Sequence, residues 1–237
     1  MEINPTNKKI FDKIFYENKW GDSDSRSGSG SNLQQTLVLR ETLPQFFFKH
    51  KIKSVLDIPC GDFHWMKEIK DKLHEVLDQY IGSDIVNDII ASNNAKYGDS
   101  KFTFKVLDLT TSELPKVDLI LSRDCLVHLS YNNIYKALSS IKNSGAAYLL
   151  TTSFLDDKRI NNNAPTGGWR PLNFQKFPFF FSQPKEIIVE NCTEDNGIYA
   201  DKALVLWEVK NINLLTLWIV ACVFSLKRLA SRVKAKI

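Results

Sequence analysis

Ser54-Val55-Leu56-Asp57-Ile58-Pro59-Cys60-Gly61-Asp62-Phe63 is the stretch on which the fold of this 237-residue chain turns. The apolar run Ser54 to Ile58 is stopped by Pro59 and Gly61, which predicts a short buried strand running into a tight turn. Outward from it, helix-like and strand-like segments alternate. Helices are expected from about Trp65 to Leu77, from Val86 to Tyr97, and from Ser130 to Lys142 with Ser130 as N-cap. Strands are expected at Tyr80 to Ile85, Phe102 to Leu107, Val117 to Leu121, Ala146 to Thr152, Glu186 to Glu190 and Ala203 to Val209. Upstream, Thr36 to Phe48 reads as a helix that Pro44 should bend or end. The Ser-, Gly- and Asp-rich run Asp22 to Asn32 reads as a loop. The sum is an α/β protein: one domain with a seven-stranded, mainly parallel sheet and helices on both faces. The expected divisions are an N-terminal segment with a lid loop (1–35), the α/β domain (36–209) and a C-terminal tail (210–237).

In open sheets of this kind, ligands bind beyond the carboxyl ends of the strands. Acidic residues stand at four successive strand ends: Asp57, Asp84, Asp108 (followed by Leu109) and Asp124 (preceded by Arg123). A carboxylate after the second strand can accept both ribose hydroxyls of an adenine cofactor. Gly61 lets backbone approach a ligand where a Cβ would intrude. Asp108 can accept from an adenine amino group, with the Leu109 N–H as a donor.

This constellation resembles the class I S-adenosylmethionine (SAM)-dependent methyltransferases, a Rossmann-like family, over roughly residues 54–208. The resemblance implies SAM as cofactor. Asp57, Pro59 and Gly61 would lie at its methionine part, Asp84 at the ribose, and Asp108 with Leu109 at the adenine. The turn departs from the family's Asp-x-Gly-x-Gly-x-Gly, with Pro59 replacing the first glycine and Phe63 the last. Together with Arg123-Asp124-Cys125-Leu126-Val127-His128-Leu129, it resembles a bacterial subset associated with surface glycans. Gly61 is not followed by G-x-x-G, which argues against a nicotinamide cofactor.

Methyl transfer to oxygen requires an aligned nucleophile and a base, and no metal. His128 is the expected base. Asp124, four residues earlier, would share its face if the segment is helical and could orient it or bind acceptor. Arg123 is expected either to hold an anionic acceptor group or to pair with a neighbouring acid. Trp169 and Arg170, in the loop Asn161 to Asn173, suit a polyhydroxylated acceptor such as a glycan, or simply pack that loop. The Ser27-to-Ser31 run with Trp20 and Gly21 can close as a lid. His50 and His74 read as solvated surface residues. The alternative function is a non-catalytic nucleotide- or SAM-binding or scaffolding protein held at a membrane by its tail.

The formal charge of +4 hides an asymmetry. Residues 210–237 carry six basic side chains (Lys210, Lys227, Arg228, Arg232, Lys234, Lys236) and no acidic one. Without those six, the 31 basic residues fall to 25 against 27 acidic, a body of charge −2. That is a poor match to a nucleic-acid substrate, and the Pro-Pro turn of amino-methylating DNA enzymes is missing after the fourth strand. Cys60, Cys125, Cys192 and Cys222 form no C-x-x-C pair, and no apolar leader opens the chain, so a cytoplasmic protein is expected. Leu214 to Leu226 is almost wholly apolar but shorter than the ~20 residues of a span. With the basic residues after it, residues 214–236 are expected to lie on a membrane surface, or else to pack on the body or a second copy.

Overall fold

A computed structural model describes residues 3–234, with side chains through Leu226. Seven strands form one sheet: β1 (Ser54–Asp57), β2 (Gln79–Asp84), β3 (Phe102–Val106), β4 (Leu119–Ser122), β5 (Tyr148–Phe154), β6 (Glu186–Val189) and β7 (Lys202–Glu208). Their order is β3-β2-β1-β4-β5-β7-β6, parallel except for β7, which runs antiparallel to both its neighbours. Successive side chains on a strand point to opposite faces. Val55 and Leu119 accordingly join one apolar cluster while Leu56 and Ile120 join the other. Covered on both faces, the five inner strands are buried almost without a break, whereas the edge strands β3 and β6 alternate.

Helices α2 (Leu37–Lys49), α3 (Lys70–Val76), α4 (Asn87–Tyr97) and α5 (Tyr131–Asn143) fall close to their expected places. In α5, Ile134, Ala137, Leu138 and Ile141 are fully buried, the i, i+3, i+4, i+7 stripe of a core-facing helix. The Ser130 hydroxyl caps it, accepting the Asn133 N–H at 3.4 Å, a contact worth about 1 kcal/mol. Helix α2 does not end at Pro44. Leu39, Leu43, Phe46 and Phe47 bury its inner face on both sides of the proline, and that packing offsets the lost backbone hydrogen bond. His50 is not solvated: it meets Glu186 at 2.7 Å. His74, partly exposed, stacks on Phe102.

The N-terminal helix was not expected. α1 (Pro5–Tyr16) is capped by Asn4, whose side chain accepts from the Thr6 and Asn7 N–H groups, with Pro5 in its first turn. Asn7 then donates to Thr110 Oγ1 and accepts from Asn133, both at 2.9 Å, fastening α1 across the carboxyl edge of the sheet.

The tail forms a helix, Leu215–Lys234. It packs against α5, with Leu217 and Ala221 buried and Phe224 set edge-on to Tyr131. Of the two expected placements for the tail, packing on the body accounts for one side of this helix. Of the basic residues assigned to lipid, Lys227, Arg228, Arg232 and Lys234 are described by backbone alone, and Lys236 lies outside the described residues. Among the described residues no helix is long and apolar enough to cross a membrane.

Candidate active site

The strand order reverses between β1 and β4, the point at which α/β sheets open a crevice. Here a cavity, open at its mouth, lies against Asp57 to Asp62, Asp84 to Val86, Leu107 to Thr110, Arg123 to Cys125, His128 and α1. Five of the six residues expected to touch the cofactor are polar or turn residues on this wall, and Leu109 is the sixth.

Asp57 is buried and accepts from the Tyr80 hydroxyl. Burial pushes its carboxyl up to about 7, against the lowering effects of Tyr80 and Arg123. Asp84 accepts the Val86 N–H at 2.9 Å, and burial pushes it up to about 6. Asp108 lines the cavity, yet Oδ1 takes the Thr110 N–H and hydroxyl at 2.8 and 2.7 Å, and Oδ2 takes the Asn4 N–H at 3.1 Å. Its carboxylate holds its own turn and the start of α1.

Pro59 follows a cis peptide bond, and Gly61 has φ +53°. A Cβ on Gly61 would stand 2.1 Å from Ser27 Oγ, so only glycine admits the Ser/Gly loop this close. Asp62, unremarked in the sequence, anchors that loop by accepting from Ser25 Oγ (3.0 Å), the Arg26 N–H (2.8 Å) and Ser27 Oγ (3.1 Å). The expected lid therefore rests on the glycine turn.

His128 stands at the far wall, its ring 4.7 Å from that of Trp20. Nδ1 lies 2.8 Å from the Gly168 carbonyl oxygen. A carbonyl only accepts, so the proton is on Nδ1 and Nε2 presents a lone pair. Burial, opposed by the Gly168 bond, holds the imidazole below its ordinary pKa. The ring is neutral at pH 7.

At this corner one expectation is corrected and two expected alternatives are decided. Asp124 does not share a helical face with His128, because its φ is +50° and the short 3-10 turn starts only at Leu126. Its carboxylate meets Lys202 Nζ at 2.6 Å and Arg123 at 3.2 Å. Burial pushes that carboxyl up, but the two cations outweigh it and hold Asp124 well below the usual range. Arg123 is not free for an anionic acceptor. Its guanidinium is buried, paired with Glu190 at 2.7 Å and donating to the Gly30 carbonyl at 2.8 Å. Arg170 also faces inward: it donates to the carbonyls of Val127 (2.6 Å), Leu126 (3.3 Å), Leu129 and Asn162 (3.1 Å). With the Gly167 N–H on the His128 carbonyl at 2.8 Å, it clamps the turn carrying the imidazole. Trp169 alone of the three expected acceptor-binding residues stays partly exposed, edge-on to Phe154 and Tyr199.

Those aromatic rings wall a second cavity, which shares Trp20, Ser27, Ser31, Asp124 and His128 with the first. Lys202, Glu194 and Tyr199 complete it. Nothing in the sequence marked Lys202, since it opens a strand otherwise read as core.

No protein-family model matches this sequence, and no curated protein matches it. Solved structures do. Human N-acetylserotonin methyltransferase in complex with SAM superposes with a TM-score of 0.55 at 13% identity, over 84% of this chain and 59% of that one. The SAM-dependent methyltransferase SibL, in its apo form, gives 0.51 at 15% identity, over 73% and 55%. The chain thus spans a little over half the length of these neighbours. The chain shares the Rossmann-like fold of these two proteins.

Proposed function

We propose that this chain is a SAM-dependent methyltransferase that methylates a hydroxyl of a polar small molecule or glycan. One observation carries the reading: His128, its proton held on Nδ1, stands in the wall shared by two cavities, the first of them ringed by buried carboxylates. The residues present suit the cofactor. Asp84 follows β2, where ribose hydroxyls can donate to it, and Asp57 offers a buried negative charge toward the cationic methionine part. SAM, when bound, supplies a methyl group already activated by its sulfonium. Nε2 of His128 would accept the proton of the acceptor hydroxyl that takes the methyl group. Trp20, Ser27 and Ser31 line both cavities, where they would keep water from that contact. Trp169, Tyr199 and Phe154 offer ring faces, and Lys202, Glu194 and Asp124 polar groups, to an acceptor with both apolar and hydroxyl surface. The four free cysteines fit a reducing, cytoplasmic setting.

Calorimetry with SAM and its demethylated product tests the cofactor, and labelled SAM with lysate fractions tests transfer. A pure protein that binds neither compound sinks the reading, and one that binds SAM but labels no fraction is the non-catalytic alternative. Asp84→Ala should weaken SAM binding roughly tenfold or more, since a hydrogen bond to a charged group is worth about 1.5–3 kcal/mol. Unchanged affinity in a folded variant would remove Asp84 from the site.

Asp57 and Asp84 also predict a pH dependence. Both carboxyls sit above their ordinary value of 3.8 in the folded protein, at about 7 and about 6. The folded state therefore binds more protons than the unfolded one. The ligand-free protein should lose stability, on the order of a few kcal/mol, as pH rises from about 4 to about 7. SAM needs the ionised carboxylates, so its affinity should rise with pH through about 6–7 and then level off, with protons released on binding. Melting curves with and without SAM across that window check both signs; an affinity flat from about pH 5 to about pH 8 would contradict the assignment.

A further inference from the structure

The C-terminal helix carries two apolar faces, and the body covers one. Leu217 and Ala221 are buried, and Val220 packs beside them. Leu215, Trp218, Ile219, Cys222, Val223 and Leu226 are exposed, a stripe at i, i+3, i+4, i+7, i+8 and i+11. Leu215 and Leu226 at its two ends are 61% and 67% exposed, so the stripe is open along its whole length. A continuous apolar row of this size on a soluble surface marks an interaction face.

Charge selects the occupant. Residues 210–237 hold six basic residues and no acidic one. A second copy paired in parallel would set like charges side by side, one paired antiparallel would leave the basic ends without acidic partners, and the body at −2 offers little to attract them. An anionic lipid surface satisfies both features: acyl chains take the stripe, and headgroups take the lysines and arginines. The helix's direction fits as well. Lys142 in the last turn of α5 donates to the Ile212 carbonyl, while Phe224 reaches Tyr131, the first residue of α5. The helix is therefore antiparallel to α5, and its basic end lies at the sheet edge that carries His128.

We propose that the exposed stripe of this helix, with its basic end, is a docking surface for an anionic membrane, on which the protein lies without spanning. Vesicle sedimentation of the full chain tests it, with vesicles of phosphatidylcholine and phosphatidylglycerol in equal parts against phosphatidylcholine alone. At low salt the protein should pellet with the anionic vesicles, bind the neutral ones about a hundredfold or more weakly, and be released as salt rises. Trp218→Ser with Ile219→Ser removes apolar area on the side away from the body and should weaken binding about tenfold or more. Lys227→Ser with Arg228→Ser should weaken anionic binding by a similar factor while leaving neutral binding unchanged. Circular dichroism and SAM calorimetry on both variants show whether the body remains intact. A chain that stays in the supernatant at low salt, or pellets equally with both vesicle types, overturns the proposal. So does a dimer in analytical ultracentrifugation that the Trp218 and Ile219 changes dissolve, since the stripe would then belong to a second copy.

Discussion

His128→Ala should lower methyl-transfer turnover by about 10²–10⁴-fold, the usual contribution of a positioned base, and leave SAM affinity nearly unchanged. The reason is the division of labour in the wall. The carboxylates assigned to the cofactor lie at the ends of β1 and β2, while the imidazole sits where the first cavity meets the second. The wild-type pH profile should carry the same signature. A base works only when neutral, and burial holds this one below the ordinary 6.5, so the acid limb of kcat should fall below that value. Single-turnover rates with excess acceptor measure both. Near-normal turnover in the alanine variant would return His128 to a packing role against Trp20. Asp124 would not replace it, because its charge is committed to Lys202 and Arg123.

Arg170→Met should destabilise the protein by roughly 3 kcal/mol or more, because several buried carbonyls lose their donor at about 1–3 kcal/mol each. The same change should lower kcat with little effect on KM for the acceptor, since the turn that presents His128 loosens while the second cavity's walls stay in place. Urea unfolding reads the first effect and steady-state kinetics the second. Arg170→Lys should recover only part of either, because an ammonium lacks the planar fork that spans these carbonyls. If the methionine variant were as stable as wild type and raised only KM, the guanidinium would be an acceptor ligand after all.

The two predictions concern neighbouring parts of one loop system but arose differently. His128 was visible as a base candidate because it follows a strand end in an α/β pattern. Its competence rests on Gly168, 40 residues later, whose carbonyl fixes the tautomer. Arg170 read as a sugar-binding residue because it sits in a polar loop with Trp169. In the folded chain that loop returns to the turn at Leu126 to Leu129, and the guanidinium finds backbone carbonyls there before any ligand. Asp108 is a similar case. Its place after β3 was legible, but its partner Asn4 lies 104 residues away, at the cap of a helix that was not expected.

By itself, the sequence determined the α/β class, the approximate places of the strands, and the row of acidic residues at their ends. Those features depend on side-chain periodicity and turn chemistry, which act over a few residues and can be read along the chain. It also determined the charge contrast between body and tail, which is additive and needs no geometry. Only the tertiary structure decided which of these polar groups face a cavity and which are consumed by the protein. It alone separated the covered side of the C-terminal helix from the open one. Both are settled by hydrogen-bond and packing partners brought together from distant positions, because a buried polar group binds whichever complementary group the fold sets beside it.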